Sequence, residues 1–239
     1  MSKSTEYSES GYPIYRYNDR QNNWQPPEYG EVGWSEKIED HVRQHLGEID
    51  SVFHEILSDV VHIDVHVIKP TPKRNYYTLF TTGMSFKAMN TPEGAEEYEY
   101  AELMICLPPD WRFTQEDLHN PDYYWPIRWL KMLARFPHEY DTWLGWEHTM
   151  PNGDPAEPLS QQMEMTGIIL LPPLEVDEEF LSLDMGDGRT VHFYAVIPLY
   201  SEEMDLKLKH GSDPLLDKFE AYGINEIVDL NRRNTCKAG

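Results

Sequence analysis

The sequence predicts an α+β fold: a single mixed-sheet domain flanked by helices, with an irregular N-terminal arm. Three observations carry that prediction. Residues 62–84, HIDVHVIKPTPKRNYYTLFTTGM, alternate as two strands around a Pro- and Lys-rich turn. Short apolar runs stopped by prolines, ELMICL before Pro108 and MTGIILL before Pro172, have the length of buried strands rather than helices. Apolar stripes of helical spacing, with Ser or Pro at their starts and Gly at their ends, occupy other parts of the chain. The 239 residues, 40% hydrophobic and 13% aromatic, suffice for a packed core. No internal repeat, heptad seam or long linker divides them, so the boundaries read as 1–34 for the arm and 35–239 for the folded unit.

The arm has no sustained period, but Tyr12, Tyr15, Tyr17, Trp24 and Tyr29 make it too aromatic for a purely disordered segment, so it is expected to pack on the domain or on another chain. Ser35 and Glu36 start a surface helix whose stripe is Ile38, Val42 and Leu46, ended by Gly47. Asp50 to Leu57 reads as a short helical turn that sends Val52, Phe53, Ile56 and Leu57 inward. In the strand that follows, Ile63, Val65 and Val67 form an apolar face, while His62, Asp64, His66 and Ile68 point the other way. In GAEEYEYAE, alternation sets Tyr98 and Tyr100 opposite Glu97 and Glu99. ELMICL is then the third strand of a meander.

Pro126 suits the first turn of a helix that carries Ile127, Trp129, Leu130, Met132, Leu133 and Ala134 and ends near Pro137, with Trp125 and Trp129 read as packing residues. TWLGWEHTMPNGDPAEP combines a strand with a turn-rich loop. FLSLDM and VHFYAVIPLY form a hairpin around Gly186, Asp187 and Gly188. Two helices close the chain, one from Ser201 with Met204 and Leu208 as its stripe, the other from Ser212, Asp213 and Pro214 to Gly223.

Twenty basic against 42 acidic residues give a net charge of −22. Such a balance opposes binding to nucleic acid or an anionic membrane, and a basic protein is the natural partner, although acidity also serves plain solubility. Cys106 in an apolar run and Cys236 in a polar tail have no paired spacing, which suits a reducing compartment. The N-terminal MSKSTEYSESGYP lacks the regions of a signal peptide, and no apolar run approaches the ~18 residues of a membrane span, so the expected location is the cytoplasm.

No P-loop, dinucleotide-binding glycine turn, GxSxG elbow or HExxH is present, and the chain is expected not to be an enzyme. Only His62, Asp64 and His66 form a tight cluster of potential metal ligands, with His54 able to join it only through folding. The simpler reading has these side chains hydrogen-bonding neighbouring backbone, with no metal or cofactor; a metal-dependent enzyme built on the three is the alternative. Ser51, Ser58 and Ser85 lie near His residues in sequence, which is too little to define a nucleophile. The adjacent acidic pairs Glu96 and Glu97, Glu178 and Glu179, and Glu202 and Glu203 read as solvated surface.

The blocks HIDVHVIKPT, YYTLFTTGMS, ELMICLPPDW, WPIRWLKMLARF, VIPLYSEEMDL and HGSDPLLDKF, in this order, resemble the Suppressor of fused domain family over residues 35 to 233. The combination is specific although no single block is. The resemblance implies a mixed α/β domain without a catalytic centre. It further implies a protein partner: animal members hold zinc-finger transcription factors, and bacterial single-domain members, which this chain resembles in length, are associated with toxin systems as immunity proteins. A basic, nuclease-like toxin domain fits both that implication and the charge. An adaptor that binds an extended peptide at a sheet edge is the alternative the animal members suggest. His62, Asp64, His66, Thr82, Gly83 and Met84 are the residues expected to contact a partner or to orient the TTGM loop. The oligomeric state is not legible.

Overall fold

The computed structural model describes residues 4–17, 25–55 and 58–237. Two short strands, β1 (Ser4–Tyr7) and β2 (Pro13–Arg16), pair antiparallel within the arm, a local order that its sequence did not announce. The arm also packs, as its aromatic content implied: Tyr17 lies edge-on to Phe136 and its hydroxyl meets Thr142 Oγ1 at 2.7 Å. Trp24 lies outside the described residues.

Helix α1 (Trp34–Leu46) buries Ile38, Val42 and Leu46 and stops at Gly47, as its stripe predicts. The next segment corrects the sequence reading. Ile49–Phe53 is strand β3, not a helical turn, and it pairs antiparallel with β4 (Asp64–Ile68), while Ile56 and Leu57 lie outside the described residues. A single turn of helix gains little by itself, whereas pairing with β4 satisfies a run of backbone groups. β5 (Tyr77–Thr82) and β6 (Ala101–Leu107) complete the expected meander. The acidic segment before β6 is a 3-10 turn at Glu96–Tyr98, so the strand-like alternation of its Tyr and Glu residues is not realised.

Helix α2 spans Pro121–Tyr140 and so begins five residues before the Pro126 start. Asn120 is its N-cap, accepting from Asp122 N at 2.9 Å, and Pro121 occupies the first turn. Pro126 and Pro137 both lie within the helix and both are buried. The chain continues through β7 (Thr149–Pro151), β8 (Gly167–Leu171), β9 (Ser182–Asp184) and β10 (Thr190–Leu199) to α3 (Ser201–His210) and α4 (Asp213–Tyr222).

The main sheet runs β3-β4-β5-β6-β10-β8-β7, with β9 also on β10; among the described strands only the β6–β10 pair is parallel. Helices cover both faces. On one, Trp125, Trp129, Leu130 and Leu133 of α2 meet Ile63, Val65, Val67, Leu79 and Ile105. On the other, Ile38, Val42 and Leu46 of α1 and Leu215 and Phe219 of α4 share a core with Ile68, Phe80, Met104, Cys106 and Phe193. The strands therefore read as nearly continuous apolar runs, because each residue is buried on whichever face it points to. This corrects the picture of one apolar and one polar face on β4, since Ile68 and the ring of His66 belong to the second core. Among the described residues no helix is long and apolar enough to cross a membrane.

Candidate functional site

Strands β4 and β5 bring the predicted residues together around the turn that leaves β5. Asp64 pairs with Thr82 and His66 with Phe80 across the ladder. His66 lies flat on Phe80, with ring centroids 4.7 Å apart, and its Nε2 sits 2.9 Å from Thr82 Oγ1. Burial holds the His66 ring below its ordinary pKa, in the neutral form. His66 is thus committed to the core.

Asp64 is the hub of the remainder. His62 Nε2 lies 3.1 Å from its Oδ1, His54 Nδ1 lies 2.9 Å from its Oδ2, and Glu55 N donates to Oδ1 at 3.1 Å. On the other side of the ring, His62 Nδ1 is hydrogen-bonded with Ser58 Oγ at 2.7 Å. Folding therefore does bring His54 to the cluster, and the carboxylate ties the segment before β4 to the strand itself. Among the described residues no three His, Cys, Asp or Glu side chains converge as a metal site. Ser58 and Asp64 thus flank the His62 ring, serine at Nδ1 and aspartate near Nε2. An open cleft of about 310 Å³, lined by Arg112, Glu116, Asp117, His119, Asn120 and Tyr123, lies on another part of the fold, before and within the first turn of α2.

The TTGM turn is organised by a residue the sequence did not single out. Glu102, fully buried at the start of β6, accepts at Oε1 from Gly83 N (3.0 Å), Ser85 N (3.0 Å) and Ser85 Oγ (2.6 Å), and at Oε2 from Thr81 Oγ1 (2.6 Å). Burial pushes its carboxyl up to about 7 against the pull of these four donors. Gly83 is required here: its φ is +119°, and a Cβ would fall 1.9 Å from His62 O. Met84 is a core side chain whose carbonyl accepts from His138 Nε2 at 2.9 Å; burial lowers His138 to about 4. Thr82 and Met84 are thus buried and Gly83 is a backbone hinge. The legible signal for Glu102 is a lone acid heading an otherwise apolar strand.

Glu203 corrects the surface reading of the acidic pairs. It is fully buried on α3, bonded by Arg232 Nη1 to Oε1 at 2.7 Å and Nη2 to Oε2 at 2.5 Å, and it also accepts from Thr235 N and Tyr200 N. That carboxylate straps the C-terminal segment to the helix. On α3 it is Glu203 and Lys207, rather than Met204 and Leu208, that are the buried residues.

These features define a class: a mixed-sheet α+β domain whose organised polar side chains hold turns and chain ends in place. The sequence model of the Suppressor of fused protein (SUFU) family matches residues 59–233, and the chain belongs to that family, one of protein-binding modules. The fold resembles a SUFU homologue from Neisseria gonorrhoeae FA 1090, with a TM-score of 0.63 and 18% identity over 87% of this chain and 100% of that one. It also resembles the structure of a Sufu–Fu complex (TM-score 0.58, 16% identity, 88% of this chain and 93% of that one). Drosophila Suppressor of Fused follows with a TM-score of 0.57 and 13% identity over 89% of this chain, which spans about half (52%) of the Drosophila chain. No curated protein sequence matches the chain.

Proposed function

We propose that this protein is a non-enzymatic binding module of the immunity kind, which neutralises a basic toxin domain by covering its surface with acidic side chains. The observation that carries the reading is where the acids lie. Residues 93–99 hold four glutamates and residues 175–187 hold six acidic residues, with no Lys or Arg in either. Ala101 of β6 and Ser182 of β9 both pair with His192 of β10, so the two acidic segments enter the sheet at one register from its two sides. Most of these carboxylates, including Glu96, Glu97, Glu178 and Glu179, are exposed. Such a face steers a basic partner and occupies the cations with which a nuclease would grip phosphate.

In this reading His62, Asp64, His66, Thr82, Gly83 and Met84 orient the loop and lie outside the acidic face. The test is binding to the products of the neighbouring genes, with association rates measured at low and high salt. Replacing Glu96, Glu97, Glu178 and Glu179 by glutamine is expected to slow association at least tenfold at low salt and to abolish protection of cells. A salt-independent rate, or undiminished protection by the quadruple variant, removes the proposal.

A further inference from the structure

Strand β3 ends at Phe53 opposite Val65, and the residues that lead into β4 are paired instead by the N-terminal arm. Glu28 N donates to Val60 O at 2.9 Å, His62 N donates to Glu28 O at 3.1 Å, and Val60 N donates to Gln25 O at 3.3 Å; Glu28 and Val61 form a parallel bridge. Gln25 N also reaches Asp59 Oδ1 at 2.8 Å. The arm thus lies on residues 59–62 as an added strand.

Its grip is almost wholly backbone. The side chains of Gln25, Pro26, Glu28 and Tyr29 are exposed and Pro27 is half-buried. Besides these bonds, among the described residues the Tyr29 ring stacks on His62 at 5.2 Å and Lys87 pairs with Glu28 at 3.2 Å. A strand that buries so little apolar surface opens locally without unfolding the core beneath it. Pro26 and Pro27 carry no N–H, so the segment has fewer donors with which to pair a further strand. The residues it covers begin the family match at Asp59, whereas the cover itself lies outside that match.

We propose that residues 59–62 are a binding edge for an extended segment of a partner protein, and that residues 25–29 are its intramolecular occupant, displaced when the partner strand adds in parallel. The segment that fits has the chemistry of the present one: a carbonyl for Val60 N, an N–H and a carbonyl three residues later for Val60 O and His62 N, then an aromatic ring for His62. Main-chain bonds supply the affinity and the ring its selectivity. Nothing in this rests on the charge of the partner, so it fails or survives independently of the acidic-face reading.

The test is amide hydrogen exchange on the full chain. In the unaltered protein the His62 amide is expected to exchange at least a hundredfold faster than those of Val65 and Phe80, through opening of the arm alone. Glu28→Pro removes the donor to Val60 O and is expected to raise His62 exchange at least tenfold further while leaving the β4 and β5 amides protected, the loss of one hydrogen bond corresponding to about tenfold. A capped peptide of residues 25–30, added to that variant, should restore His62 protection, and its counterpart with alanine at the tyrosine position should do so more weakly. Equal protection of His62, Val65 and Phe80 in the unaltered chain overturns the proposal, because the arm would then open only with the core. So does failure of the peptide to restore protection in Glu28→Pro. Dimerisation of that variant without peptide uptake overturns it in favour of arm exchange between copies.

Discussion

Glu102→Gln separates the two influences on the buried carboxylate. Burial raises the Glu102 pKa from an ordinary 4.5 to about 7, so between those values the folded chain holds a proton that the unfolded chain has released. The folded state binding more protons, stability falls as pH rises through this window, and the full effect is about 3 kcal/mol for two to three pKa units. The protonated acid keeps every contact: Oε2–H can donate to Thr81 Oγ1, whose own hydrogen turns to Leu103 O at 3.4 Å, while Oε1 still accepts from Gly83 and Ser85. Glutamine reproduces that arrangement at every pH, with its amide nitrogen in place of the Oε2–H. The stability of the unaltered chain minus that of Glu102→Gln, from urea unfolding, is therefore expected to drop by about 3 kcal/mol between pH 4.5 and pH 8. Glu102→Ala, which strips the acceptor from Gly83 N and Ser85 N, should cost about 3–5 kcal/mol at both pH values. A difference curve flat to within about 1 kcal/mol would show that the four donors outweigh burial and hold the carboxyl near its ordinary pKa.

Other perturbations test the remaining supports. Gly83→Ala must place a Cβ against His62 O at a φ of +119°, and is expected to lower stability by about 3 kcal/mol or more by urea unfolding. Arg232→Ala leaves the buried Glu203 carboxylate without its cation and should cost about 3–5 kcal/mol, whereas the double change Glu203→Met with Arg232→Leu should recover much of that loss. His138 and His148 are each lowered by burial to about 4, so their stabilising effect is complete above pH 6.5 and is lost as pH falls towards 4; their ring proton resonances should stay unshifted down to about pH 5. Cys106, buried and pushed up to about 12, should resist alkylation in the folded chain while the half-buried Cys236 reacts.

Much of this fold is written in local pattern, and what is not depends on distant partners. The period of two in residues 62–84 identifies β4 and β5, and the stripe Ile38, Val42 and Leu46 identifies α1, because each is a property of neighbouring residues. Alternation says which side chains share a face but not what that face meets, so the helix over Ile68 and Phe80 was not legible from β4. In α2 the true start, Asn120 and Pro121, carries the ordinary capping chemistry, but Pro126 offered the same signal closer to the apolar run. Glu203 shows the same limit on charge. Its carboxylate also accepts from Tyr200 N at the start of α3, a local role open to sequence reading, but Arg232 lies 29 residues away and only folding reveals that the pair is buried.

The predicted centre of the chain is tied to its surroundings through backbone positions. The His62 peptide stands between two devices: its N–H donates to Glu28 O in the arm, and its carbonyl is what forbids a side chain at Gly83 in the turn held by Glu102. Its imidazole, fixed by Asp64 on one side and Ser58 on the other, gives Tyr29 a flat surface. The polar cluster and the turn therefore act on the same strip of chain from opposite directions. A change that shifts His62 backbone, such as Gly83→Ala, disturbs turn and arm together, whereas Glu102→Gln leaves the His62 peptide in place and should leave arm exchange as it was. That difference follows from the geometry of one peptide group.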